Sequence, residues 1–233
     1  MKHRNAERNS FTDELLSRLS LAGPLLFLGH SRGAENALHA ANTHQCIGAI
    51  LVTPFGLRPN KGVRPFFQFS VYTKLYEYRF LRPIIHQLMV YMYRYWIGLR
   101  IRDGREGIVS IHAIGSIDLQ AQVPHIDAIG RHGEKLVLIP YAGKDFLIET
   151  DVSREYVEKF NNRHHIHLAT KDEKEEQEAV DAVKKAYSSG HRVVSAEFAP
   201  DRHHMQKDRA KFIADSIAIM FEQAKQKSLK SKA

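Results

Sequence analysis

Leu25-Leu26-Phe27-Leu28-Gly29-His30-Ser31-Arg32-Gly33-Ala34-Glu35-Asn36-Ala37-Leu38-His39-Ala40-Ala41 is the stretch that decides the fold. Leu25 to Leu28 is a short unbroken apolar run, the pattern of a parallel strand buried on both faces. Ala34, Ala37, Leu38 and Ala41 recur at helical spacing, and small side chains let a helix press closely on a sheet. Between strand and helix, Gly29-x-Ser31-x-Gly33 is the pattern of a nucleophile elbow, a sharp turn that lifts the serine hydroxyl clear on strained backbone. Gly29 and Gly33 are expected where side chains would collide with the neighbouring strand and the incoming helix. Arg32 follows the serine, so its backbone N–H is the expected oxyanion donor. The competing reading of the same letters is an ordinary strand–turn–helix crossover whose serine caps the helix.

Outward from this stretch, strands and helices alternate. Upstream, Ser10-Phe11-Thr12-Asp13 reads as an N-cap, with Phe11, Leu15, Leu16 and Leu19 as the buried face of a helix that Gly23-Pro24 stops. Downstream, Ile47 to Val52 and Lys135 to Pro140 are further buried strands, and a helix follows around Ser153 to Phe160. The charged stretch Lys171 to Lys185 reads as a solvated helix. His191 to Phe198 reads as a last strand, and Phe212, Ile213, Ile217, Ile219 and Met220 mark the apolar face of a terminal helix. A basic tail, residues 224–233, is expected to be disordered. The pattern predicts one α/β domain with a mostly parallel sheet, its core formed by residues 10–60 and 106–223.

Residues 61–105 differ in character. They hold nine lysines and arginines against Glu77 and Asp103, nearly the whole net charge of +8, and half of the chain's Phe, Tyr and Trp. The expectation is a helical cap on the core. Its charge favours anionic partners, and a peripheral contact with an anionic membrane would suit it. No nucleic-acid-binding module is recognisable, so none is expected as a partner. Cys46 is the single cysteine, which excludes an internal disulfide. The first residues carry no apolar signal-peptide core, and Ile84 to Leu99 is broken by His86 and Arg94 and too short to span a bilayer comfortably. A cytoplasmic location is the corresponding expectation.

A nucleophilic serine needs a base and an orienting acid on loops after later strands, in the order serine, acid, histidine. The third strand leads into Gly143-Lys144-Asp145, and the last into Asp201-Arg202-His203-His204-Met205-Gln206-Lys207. Asp145 fits the acid, with Glu149 as the alternative, and His203 or His204 fits the base. His164, His165 and His167 resemble a metal cluster but lack a carboxylate or cysteine partner, so a solvated loop is expected and no metal.

With elbow, Gly-x-Asp and Asp-x-His-x-x-Gln-Lys in order, the chain resembles the α/β-hydrolase superfamily from Ser10 to about Gln223. Within it, the Gly-His-Ser-Arg-Gly elbow resembles an uncharacterised, nematode-rich hydrolase-like group. The resemblance implies Ser31 as nucleophile, Asp145 as acid and His203 as base, no cofactor, and a cap that shapes the substrate pocket. It also implies strands ahead of the elbow strand, one of whose loops supplies a second oxyanion N–H. Only a charged leader and one helix precede Ser31. The expectation is therefore a chain lacking those strands, with the Leu25–Leu28 strand at an exposed edge. Loss of one oxyanion donor is worth roughly 10²–10³ in turnover. Two functions follow: a serine hydrolase of an ester or related small acyl substrate, or a hydrolase-like binding protein without catalysis.

Overall fold

A computed structural model describes residues 4–65, 67–98, 100–132 and 134–230. Phe66, Leu99, the side chain of Trp96 and residues 231–233 of the basic tail lie outside the described residues. In chain order the elements are α1 (Asn5–Leu19), β1 (Leu26–His30), α2 (Gly33–Thr43), β2 (Gly48–Val52), α3 (Phe67–Glu77), α4 (Arg82–Met92) and α5 (Gly104–Gly115). There follow α6 (Val123–His132), β3 (Leu136–Ala142), α7 (Thr150–Glu158), β4 (Arg163–Leu168), α8 (Glu173–Ser188), β5 (Val193–Phe198), α9 (Met205–Asp208) and α10 (Ala210–Lys230). A π-helical turn, Tyr93–Ile97, continues α4. Among the described residues, no helix is long and apolar enough to cross a membrane.

The chain divides into two compact units. One comprises Asn9–Gly62 and the residues from Leu119 onward. It is built on a five-stranded parallel sheet of order β1-β2-β3-β5-β4. Side chains alternate along a strand, so a run such as Ala49-Ile50-Leu51-Val52 feeds both faces of the sheet. Ile50, Val52, Leu136 and Leu138 join α8 and α10 in one core layer. Ala49, Leu51, Val137 and Ile139 join α2, α6 and α7 in the other. Burial on both faces is why β2 and β3 read as continuous apolar runs. Among the described residues β1 pairs only with β2 and lies at the edge of the sheet, with Leu28 48% exposed.

Five expectations are corrected here. α1 begins at Asn5, so Ser10 lies inside it rather than capping it. Its inward face is polar: Asn9 bonds Asn36, and Asp13 takes both His39 and His44. Phe11, Leu15 and Leu19 consequently stay exposed. α8 is not solvated all round, because Ala179, Val180, Val183, Ala186 and Tyr187 are buried in the core. His164, His165 and His167 lie on strand β4 instead of a loop, and His165 Nδ1 lies 2.9 Å from Ser195 Oγ on the adjacent β5. The tail from residue 224 continues α10 to Lys230, since nothing between Ala224 and Lys230 breaks a helix.

The second unit combines the N-terminal residues through Arg8 with Val63–Asp118. Its elements among the described residues are all helices, and α3 and α4 both pack on α5. A Cβ added at Gly104 would overlap the His86 backbone, and one at Gly107 would lie 3.0 Å from Met89 Cβ. One at Gly115 would lie 3.1 Å from Phe69 Cβ. The glycines of α5 therefore admit both neighbours at close range.

Candidate active site

Ser31 follows the last residue of β1 with φ +53°, a left-handed conformation that costs a non-glycine residue about 1–3 kcal/mol. The surrounding bonds hold it there. Its N–H donates to the Val52 carbonyl of β2 at 2.9 Å, and its carbonyl accepts from Ala34 N–H at 3.0 Å. The two elbow glycines differ. A Cβ on Gly29 would collide with the Gly33 carbonyl and lie 2.7 Å from Ala34 Cα, so only glycine lets α2 approach so closely. A Cβ on Gly33 meets nothing within 4 Å, so no collision explains that glycine. Arg32 stands at the N-cap of α2 and its side chain pairs with buried Glu35.

Asp145 and His203 come together. Asp145 Oδ2 lies 2.7 Å from His203 Nδ1, and both side chains are almost fully buried, 2% and 5% exposed. Asp145 Oδ1 accepts the backbone N–H groups of Leu147 (2.8 Å) and Ile148 (3.0 Å), which fixes the carboxylate. A carboxylate can only accept, so His203 carries its proton on Nδ1 and presents the Nε2 lone pair. Glu149, the alternative acid, is turned to the Lys61 N–H at 2.8 Å. His204, the alternative base, packs edge-on against His203 with Nε2 buried and without a hydrogen bond. Burial and the adjacent His203 both hold its imidazole below the ordinary range.

Several residues to which the sequence reading gave no such role anchor His203 beside the elbow. His30, the residue before Ser31, lies with Nε2 2.9 Å from the His203 carbonyl, its ring 4.9 Å from the His203 ring. Opposite a carbonyl that nitrogen must be the donor, and burial holds His30 below its ordinary range. Thr53, at φ +40° just past β2, donates its hydroxyl to the same carbonyl at 3.4 Å. The histidine loop is pinned by buried Asp201, which Arg209 grips at 2.7 Å while reaching Glu176 at 2.5 Å. Acid and histidine loops are joined by Lys144 N–H to Asp201 carbonyl, 2.9 Å. Gly143 permits that junction, because a Cβ there would lie 2.6 Å from Ala199 Cα. Phe146 stands edge-on to the His203 ring at 6.4 Å and is partly exposed. Among the described residues, no cluster of three or more His, Cys, Asp or Glu side chains could hold a metal ion.

A family model described as "Alpha/beta hydrolase of unknown function (DUF1057)" matches residues 1–222. A Caenorhabditis elegans protein, "Uncharacterized protein F35H12.5", is 27% identical over 233 residues. The match covers 95% of this chain, which spans only 65% of that relative's length. Among solved structures, the enol-lactonase of Burkholderia xenovorans LB400 superposes with a TM-score of 0.55 at 14% identity, covering 94% of this chain and 73% of the lactonase. The Paleococcus ferrophilus monoacylglycerol lipase gives 0.52 at 13%, covering 93% and 75%. The putative non-heme bromoperoxidase BpoC of Mycobacterium tuberculosis H37Rv gives 0.56 at 14%, covering 95% and 75%. At these identities the likeness concerns the fold.

Proposed function

From a chain that belongs to this α/β-hydrolase family, we propose a serine hydrolase that cleaves an ester or related acyl compound through Ser31, His203 and Asp145. The observation that carries the reading is the buried His203–Asp145 bond beside a strained serine. His203 Nε2 accepts the Ser31 hydroxyl proton as Oγ attacks the acyl carbonyl. The Arg32 N–H donates to the oxyanion of the tetrahedral intermediate. His203 then returns the proton to the departing alcohol, whose bond to the acyl carbon breaks. Water, deprotonated by the same nitrogen, hydrolyses the acyl-enzyme and restores Ser31. Asp145 holds the imidazole in the required tautomer and offsets the charge it gains.

Phe146 adds an apolar surface next to the base, which favours an apolar acyl or leaving group. The test is hydrolysis of a panel of p-nitrophenyl esters with acyl chains of increasing length. The reading expects turnover that Ser31→Ala abolishes without loss of fold. Folded protein without turnover on any ester would assign the chain to a hydrolase-like binding role instead.

A further inference from the structure

α3 and α4 leave two apolar stripes uncovered. On α3 and just beyond it, Phe67, Val71, Leu75 and Tyr78 are all exposed, Phe67 at 68%. On α4 and its π-helical continuation, Ile84, Leu88, Tyr91 and Tyr95 are exposed, Ile84 at 64% and Tyr95 at 65%. Each set follows helical spacing and falls on one side of its helix. Tyr91 and Tyr95 confirm this side by side, with ring centroids 4.7 Å apart.

The opposite side of each helix packs on α5. Phe69 of α3 meets Gly115, while His86 and Met89 of α4 meet Gly104 and Gly107. At 100° per residue, Phe69 lies about 200° from Phe67, and Met89 about 140° from Ile84. Each stripe therefore lies on the side of its helix opposite the residues that meet α5. At 39–68% exposure, each stripe of four side chains leaves on the order of 400 Å² uncovered, counting aromatic side chains at roughly 150–250 Å² each. A soluble monomer's largest apolar patch is roughly 300–600 Å².

The chemistry around the stripes is cationic. Arg94 and Arg102 line a cleft of about 390 Å³ together with Tyr91, Tyr95, His86 and Asp103, whose carboxylate lies 3.5 Å from Arg105 Nε, so stripe and cleft share the two tyrosines. Neither arginine makes an ion pair among the described residues, and Lys74, Arg79 and Arg105 are exposed in the same unit. Exposed aliphatic and aromatic side chains beside unpaired arginines match the interface of an anionic bilayer. There aliphatics enter the acyl boundary, tyrosines sit at headgroup level and arginines meet phosphates.

We propose that the α3–α4 face docks the protein on an anionic phospholipid surface, with the Arg94–Arg102 cleft receiving a lipid phosphate. This goes beyond the reading of Ser31 and stands or falls independently of it. The test is sedimentation of the 233-residue chain with phosphatidylcholine vesicles carrying 0 or 30% phosphatidylserine, at low and high salt. Binding is expected only with phosphatidylserine and should weaken as salt rises. Arg94→Gln with Arg102→Gln should weaken it roughly 25-fold, at about fivefold per cation. Ile84→Ser with Tyr91→Ser should weaken it more than about tenfold at equal charge. All four positions are at the surface or rim, and circular dichroism checks that the variants fold. Equal binding to neutral vesicles, or no binding to either, would overturn the proposal. So would a concentration-dependent dimer abolished by the Ile84/Tyr91 changes, which would assign the face to a second copy.

Discussion

On the proposed mechanism, replacing Asp145 by Asn should separate catalysis from folding. The Asp145 side chain is 2% exposed, with Oδ2 2.7 Å from His203 Nδ1 and Oδ1 accepting from Leu147 N and Ile148 N. An asparagine keeps Oδ1 for those two backbone donors, so the loop retains its turn. Its NH₂ group then faces His203 Nδ1 and must donate, which moves the imidazole proton to Nε2. In the proposed mechanism that nitrogen accepts the Ser31 proton. The loss should be about 10⁴ in kcat, the size of the same exchange in another Ser-His-Asp enzyme, or about 5.5 kcal/mol of transition-state stabilisation. The cost in folding should be only about 1 kcal/mol, because a charge-assisted bond becomes a neutral one. Asp145→Ala behaves differently: it also orphans two backbone N–H groups and should cost roughly 2 kcal/mol or more. Steady-state ester hydrolysis and urea denaturation of wild type and both variants measure these quantities. A folded Asn variant whose kcat stays within about tenfold of wild type would refute the assigned tautomer and the role of Asp145.

Other consequences are as open to measurement. Gly29→Ala should destabilise by about 2 kcal/mol or more, because its Cβ collides with the backbone of Gly33 and Ala34. Gly33→Ala should stay within about 0.5 kcal/mol, and equal denaturation midpoints for the two variants would contradict this assignment. Arg209→Ala leaves Asp201 and Glu176 without their buried cation and should cost roughly 3–5 kcal/mol. A near-wild-type urea midpoint would show that this cluster does not hold the histidine loop. Burial lowers His30, His125, His164, His165 and His204 from the ordinary 6.5, so the folded chain binds fewer protons than the unfolded chain just below that pH. Their contribution is complete above about pH 6.5 and is lost as pH falls through the lowered folded values. Tm should drop between pH 7 and 5 by roughly 2–4 °C per kcal/mol lost, and a flat or rising Tm would reverse the sign.

How much the sequence disclosed depended on burial. β2 and β3 are covered on both faces, so they read directly as apolar runs, and β5 was legible from Val193, Val194, Ala196 and Phe198 although Ser195 and Glu197 interrupt it. β4 lies at the edge and alternates exposed and less exposed residues, with only Ile166 and Leu168 apolar, so its histidines resembled a loop. α1 misled in the opposite direction. It turns Asn9 and Asp13 inward, and the leucine spacing marks its exposed side. Asp145 and His203 were legible because they open the loops after recognisable strands. His30 and Thr53 were not, because their contacts with the His203 carbonyl span 173 and 150 residues. Arg209 carries no local signal either: it grips Glu176 from 33 residues away, across two elements. The α3–α4 aromatics were visible in composition, but only the packing on α5 shows which side of each helix is left uncovered.

The central claim, that Ser31 is a nucleophile activated by His203, is tested most directly by a fluorophosphonate probe followed by peptide mass spectrometry. Activated serines attack the probe's phosphorus and remain covalently modified, whereas ordinary surface serines do not. A single adduct on the peptide carrying Ser31, absent from Ser31→Ala and slowed at least about 10³-fold in His203→Ala, is the predicted result. Folded wild-type protein that takes up no probe, or takes it up on a serine other than Ser31, would contradict the account.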